Sequence, residues 1–181
     1  MKTTMKCISK ILLIMALVFP VLSWSQQSSN DKRVIEDARE AKETFIKTDG
    51  LMKSLFDKSY GYVIFPNVGK GAVGVGGASG NGAVYENQKL IGMAKMIQVS
   101  VGFQFGGQAY QEVVFFENKA AMDHFKDNKL EFSAQVSAIA AKAGGAANVK
   151  YREGVLVFTQ KKGGLMLEAA VGGQKFTYKA G

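Results

Sequence analysis

The sequence predicts an α+β domain: N-terminal helices packed on a strongly curved, mainly antiparallel sheet or closed barrel-like sheet of about nine strands with one inserted helix. Three observations carry that prediction. Two segments with helical spacing follow residue 30. Alternating apolar segments of strand length come next, with one short helical stretch among them. Twelve of the 21 glycines lie between residues 61 and 107. Each disfavours helix by about 1 kcal/mol relative to alanine and suits a sharply bent strand.

Residues 1–25 read as a cleavable signal peptide. Lys2, Lys6 and Lys10 give a positive start, Ile11 to Phe19 is a short apolar run, and Ser23-Trp24-Ser25 places small residues before Gln26. A membrane-spanning helix needs roughly 20 apolar residues, and Pro20 ends this run at about half that. Asn30 or Asp31 caps a helix to about Lys47 with Val34, Ile35, Ala38, Ala41, Phe45 and Ile46 on one stripe. Its five acids and five bases balance, which fits a solvated face rather than a membrane-surface helix. Thr48-Asp49-Gly50 breaks it, and Asp49 caps a short second helix ending near Lys58.

Tyr60 to Phe65 reads as a strand stopped by Pro66-Asn67, and Ser79-Gly-Asn-Gly82 as a turn between strands at Gly71–Gly77 and Ala83–Glu86. Val99 to Phe105 alternates cleanly, and Gly106-Gly107 turns it into Tyr110 to Phe116 as a hairpin. Asn118 caps a helix over 119–127 with Ala121, Met122 and Phe125 inward, and Phe132 to Ala138 alternates as a strand. The end reads as a meander of Val155–Gln160, Leu165–Val171 and Gln174–Tyr178, turning at 161–164 and at Gly172-Gly173.

Removing residues 1–25 would remove Cys7, the only cysteine, and with it disulfides, thiol catalysis and cysteine-bound metal. It would also lower the net charge from +8 to +5. Residues 26–133 hold 13 bases and 13 acids, so the excess lies after residue 133. There Lys142, Lys150, Arg152, Lys161, Lys162, Lys175 and Lys179 face only Glu153 and Glu168. Of these, Lys150, Arg152, Lys161, Lys162, Lys175 and Lys179 are the candidate lipid-headgroup residues, with Lys161-Lys162 at a hairpin tip. Such an excess favours an anionic partner, and export makes that partner phospholipid rather than nucleic acid.

Catalytic motifs are weak. Gly69-Lys-Gly71-Ala-Val-Gly74 matches a bare dinucleotide pattern, but the glycines after it cannot open the helix such a site needs. His124 is the single histidine and no Gly-x-Ser-x-Gly elbow accompanies it. Glu86, Glu112, Glu117 and Glu168 lie on or beside strands, where alternation assigns them to a solvent face. No catalytic residue, metal or cofactor is expected.

One long, ordered set of motifs resembles the SYLF-domain lipid-binding proteins in their bacterial exported form. It comprises Gly61-Tyr-Val-Ile-Phe-Pro-Asn-Val-Gly-Lys-Gly-Ala-Val-Gly-Val-Gly-Gly77, Gly80-Asn-Gly-Ala-Val-Tyr85, Val99-Ser-Val-Gly-Phe-Gln-Phe-Gly-Gly-Gln108, Glu131-Phe-Ser-Ala-Gln135 and Gly163-Gly-Leu-Met-Leu-Glu-Ala-Ala-Val-Gly-Gly-Gln-Lys-Phe176. The resemblance implies binding of acidic phospholipids. Eukaryotic members, some of which bundle actin, carry Trp-Ser-x-Pro where this chain has Gly92-Met-Ala-Lys-Met-Ile. Actin is therefore not an expected partner. The expectation is a single domain over 26–181 that is non-enzymatic, periplasmic or secreted, and peripherally bound to anionic phospholipid. The competing expectations are an integral outer-membrane barrel and a ligand carrier or enzyme with a pocket under the glycine-rich strands.

Overall fold

Helix α1 (residues 29–48) places Val34, Ala38, Ala41 and Phe45 at helical spacing, and all four are buried as the stripe predicts. The computed structural model describes residues 29–73, 75–100, 109–132, 137–140, 149–162, 169–170 and 173–181. The predicted signal peptide, the Gly106-Gly107 turn and most of the Val99–Phe105 and Leu165–Val171 segments lie outside the described residues. Asp49 closes α1 by donating its N–H to the Phe45 carbonyl, and its carboxylate accepts from Leu51 N at 3.0 Å. Helix α2 (Met52–Lys58) then buries Met52 and Phe56.

Strands β1 (Gly61–Val73), β2 (Val75–Glu86), β3 (Lys89–Ser100) and β4 (Tyr110–Phe116) precede helix α3 (Lys119–Lys126). After it come β5 (Ser137–Ala140), β6 (Val155–Lys161), β7 (Ala169–Ala170) and β8 (Gln174–Ala180). Asn118 caps α3 as predicted, its side chain accepting from Ala121 N at 3.0 Å, and Met122 and Phe125 are buried.

The order across the sheet is β7-β5-β6-β4-β1-β2-β3-β8. The six strands from β6 to β8 are antiparallel throughout; β5 joins β6 in parallel through Ile139–Phe158 and Ala140–Thr159, and β7 pairs with β5. The sheet is not closed, which corrects the nine-stranded barrel. Glu131–Phe132 occupies the outer edge of β8 instead, with Phe132 N–H donating to Gln174 O at 2.9 Å and Gly173 N–H to Phe132 O at 2.8 Å. This covers the start of the β8 edge, where another strand would otherwise pair. Nor do β6 and β8 belong to one meander: they flank the antiparallel set from opposite sides.

Two turn assignments are also overturned. Pro66 does not end β1; the strand shifts register there against both neighbours, between Ile64 and Asn67 on β2 and between Phe65 and Val68 on β4. A central strand tolerates a missing N–H at such an irregularity. Ser79–Gly82 lies inside β2, paired to both β1 and β3. A Cβ on Gly82 would come within 2.7 Å of both the Ile64 carbonyl oxygen and the Phe65 ring, so this glycine serves close approach rather than turning. Gly82→Ala is expected to cost about 1–3 kcal/mol through overpacking, read from the urea midpoint. The β2–β3 turn is Asn87-Gln88, both left-handed at φ 49° and 66°.

The central strands of the sheet are covered on both faces. On one, α1 and α2 bury Phe45, Met52 and Phe56 against Tyr62, Ile64, Ala83, Val113, Phe115, Leu156 and Phe158. On the other, concave face, α3 and the following segment bring Met122, Phe125, Leu130 and Phe132 against Val63, Phe65, Val84, Met96, Val114, Val157 and Phe176. Four strand spacings separate β4 from β8, roughly 19 Å on a flat sheet. Yet Gln174 on β8 donates to Glu112 on β4 at 3.0 Å. Only strong curvature permits that, so the predicted bending holds while the predicted closure does not.

Candidate functional site

The six candidate basic residues occupy three places. Lys150 and Arg152 are exposed just before β6, Arg152 bridging to Val155 around a turn in which Glu153 and Gly154 have φ 51° and 75°. Lys161 ends β6 at its other end, opposite Tyr110 of β4. Lys162 follows it, exposed, with its N–H on Ala109 O at 3.3 Å and its ammonium on the Asn67 side-chain oxygen. Lys175 and Lys179 lie on β8, across four intervening strands. Alternation separates them further: Lys161 shares a side of the sheet with Val155 and Val157, whereas Lys175 and Lys179 point away from the buried Phe176. The structure thus brings Lys161 together with Lys162, and Lys175 with Lys179, and does not join all six. Lys142 lies outside the described residues.

Among the described residues Lys175 is the one of the six that forms an ion pair, its ammonium 2.6 Å from the Glu131 carboxylate. Both groups are exposed, so the pair contributes at most about 1 kcal/mol and leaves the lysine open to a competing anion. Composition alone missed Lys95. It belongs to the electrically neutral stretch 26–133, but β3 places it opposite Thr177, between Lys175 and Lys179. The signal was the alternation of Met93, Lys95, Ile97 and Val99, which local reading recovers only from Val99 onward.

Glu112 corrects the expectation of a solvent-facing carboxylate. It is fully buried, because β4 has the concave core on one face and the α1–α2 layer on the other. Its neighbours are polar. Gln174 Nε2 donates to Glu112 Oε2 at 3.0 Å and to Gln98 Oε1 at 3.4 Å, and the Tyr110 hydroxyl donates to Gln98 Oε1 at 3.1 Å. Glu112 Oε1, Gln174 Oε1 and Thr159 Oγ1 are buried without a hydrogen-bond partner. Burial pushes the Glu112 carboxyl up to about 7, opposed by the hydrogen bond from Gln174. The same burial, with Glu112 nearby, drives the Tyr110 hydroxyl strongly upward. Among the described residues, Glu112 is the one carboxylate of this cluster.

Glu86 pairs with Lys126 of α3 at 3.2 Å through both oxygens, and Glu117 is exposed; Glu168 lies outside the described residues. His124 is exposed on α3. On the α1 side, Lys42 sits 4.9 Å from the Phe56 and Tyr62 ring centres and donates to the Tyr62 hydroxyl at 2.9 Å. Desolvation there lowers its affinity for a proton. Among the described residues no group of acids, histidines or cysteines is placed to hold a metal ion, and no helix is long and apolar enough to cross a membrane.

Two comparisons with known proteins bear on this arrangement. A family model described as "Ysc84: Las17-binding protein actin regulator" matches residues 97–180. That span contains β4, α3, the Glu112 cluster and all six candidate basic residues. Beta cell expansion factor A of Aeromonas veronii is 32% identical over 125 residues, which is 68% of this chain and 48% of that protein. The chain therefore matches about half the length of this curated relative.

Proposed function

The chain belongs to the SYLF family, whose members have a lipid-binding type of domain, and from that premise we propose that it is an exported, non-enzymatic domain that binds anionic phospholipid peripherally at the cell envelope. The observation that carries the lipid's charge is the confinement of the positive excess: seven bases against two acids after residue 133, with the rest of 26–133 neutral. Export follows from the charged start, short apolar run and small-residue site of residues 1–25. A periplasmic or secreted location follows in turn.

Phospholipid, not actin, is taken from the family. Gly92-Met-Ala-Lys-Met-Ile97 replaces the Trp-Ser-x-Pro of the eukaryotic members. In this chain that segment is the middle of β3, with Ala94 and Met96 buried in the concave core. A spanning barrel is the weaker reading because helices cover both faces of the central strands, where a barrel would need a lipid-facing apolar band.

The candidate headgroup residues lie in separate places. Lys161-Lys162 forms one, with Lys150 and Arg152 at the opposite end of β6 and Lys175 with Lys179 on β8. Each basic residue near an anionic surface contributes about 1 kcal/mol. The purified protein is expected to co-sediment with phosphatidylglycerol-containing vesicles and not with pure phosphatidylcholine, and to lose binding as salt rises. Equal sedimentation with both would reject headgroup binding. Lys161→Glu with Lys162→Glu replaces two attractions by repulsions, and a loss of roughly thirty-fold or more would place this tip in the contact. An unchanged affinity would remove that tip from the contact.

A further inference from the structure

Strands β3 and β8 have one face in the concave core and the other in solvent. Ala94, Met96 and Gln98 of β3 and Gln174 and Phe176 of β8 are buried. The alternate residues point outward: Met93, Lys95, Ile97 and Val99 on β3, and Lys175, Thr177 and Lys179 on β8. The α1–α2 layer does not reach them, since its core is built on β1, β2, β4 and β6. Ile97 is 47% and Val99 56% exposed. These are two branched apolar side chains side by side on the solvent face of a strand.

The register sets cations beside Ile97 and along the same face. Lys179 stands opposite Met93 and Lys175 opposite Ile97, while Lys95 lies diagonal to both lysines; diagonal neighbours are roughly 7–8 Å apart. On the β2 side, Lys95, Ile97 and Val99 meet Asn81, Ser79 and Gly77, which are too small to cover them. Glu131 pairs with Lys175. Lys95 and Lys179 have no acidic partner among the described residues. Lysines that discourage edge pairing would explain Lys175 and Lys179 on an edge strand, but not exposed Ile97 and Val99 on the strand inside it. Apolar side chains with ammonium groups on the same face complement an anionic bilayer surface, whose headgroup region accepts shallow apolar insertion and attracts nearby cations.

We propose that the outer face of β3 and β8 is the membrane-contact surface: Ile97 and Val99 enter the boundary between headgroups and acyl chains, and Lys95, Lys175 and Lys179 pair with lipid phosphates. This rests on the anionic-phospholipid reading and assigns it a surface centred on β3. Because that surface includes Lys95, it differs from a contact made by the Lys161-Lys162 tip.

The test uses vesicles of phosphatidylethanolamine and phosphatidylglycerol. Ile97→Thr with Val99→Thr keeps the β-branched shape and hence the strand, while removing partial apolar burial of two side chains. It is expected to weaken binding about tenfold, with most of the loss persisting at high salt. Lys95→Glu with Lys179→Glu is expected to weaken binding chiefly at low salt. Thermal midpoints matching the unaltered protein establish that both variants fold. In a Trp24→Phe background, the fluorescence of an Ile97→Trp variant is expected to shift to the blue on vesicles and to be quenched by lipids brominated near the headgroup. If the unaltered protein sediments while both β3–β8 variants bind normally and the Ile97→Trp variant keeps its solvent spectrum, the surface is wrong and the lipid reading stands. If the unaltered protein does not sediment with anionic vesicles, the lipid reading fails and the surface falls with it.

Discussion

Glu112→Gln is expected to stabilise the protein by about 3 kcal/mol at pH 8 and to change little near pH 4. The carboxyl is fully buried and titrates at about 7 in the folded protein, against an ordinary 4.5. Below 4.5 it is protonated whether the chain is folded or not, and folding carries no penalty from it. Between 4.5 and 7 the unfolded chain releases the proton while the folded chain keeps it. Stability therefore falls as pH rises through this window, and the loss is complete above 7. Glutamine resembles the protonated acid: its oxygen accepts from Gln174 Nε2 as Glu112 Oε2 does, and its amide supplies a donor among acceptors that include the unpartnered Gln174 Oε1 and Thr159 Oγ1. Urea midpoints across this range test the point. A variant less stable than the parent at pH 8 would mean that the carboxylate is held by partners that outweigh its burial.

That residue also marks a limit of sequence reading. A glutamate at an alternate strand position reads as solvent-facing because antiparallel sheets often have one wet face. β4 has none: α1, far upstream in sequence, covers one side, and α3, which follows β4 directly, covers the other together with distant β8. Local signals performed well where the physics is local. The Asn118 cap, the α1 stripe through Phe45, and the strands at Tyr110–Phe116, Val155–Lys161 and Gln174–Ala180 were all legible to within a residue or two. Glycine was ambiguous for a physical reason. At Gly82 it admits the Ile64 carbonyl and the Phe65 ring, at Gly173 it supplies a left-handed φ of 77°, and composition does not distinguish the two uses. The real β2–β3 turn, Asn87-Gln88, lacks the glycine that would have announced it. The candidate site was half legible. Charge counting found the lysines of β8, but the pairing of Lys95 with Thr177 joins positions nearly half the chain apart, and no periodicity carries it.

Phe176→Ala is expected to cost about 3–5 kcal/mol, the range for removing a fully buried phenylalanine from a packed core. Its ring lies 5.1 Å from Phe132, 5.8 Å from Phe65 and 6.1 Å from Phe125, so one side chain on β8 links the segment after α3, strand β1 and helix α3. These contacts keep the sheet curled, since β1 and β8 are separated by two strands in the hydrogen-bonded order. An alanine there leaves a cavity bounded by three rings fixed on three different elements, which limits collapse. Phe176→Leu, retaining most of the volume, is expected to cost about 1–2 kcal/mol. The loss should be local before it is global: amide hydrogen exchange is expected to accelerate in β8 and in the β3 residues paired with it before it does in β1 and β4. Vesicle binding should weaken as well, although Phe176 faces the core, because Lys175 and Lys179 are carried by the same strand. A cost below about 1 kcal/mol, or uniform exchange across the sheet, would show that curvature is held elsewhere, with Gln174 and Glu112 the next contacts to remove.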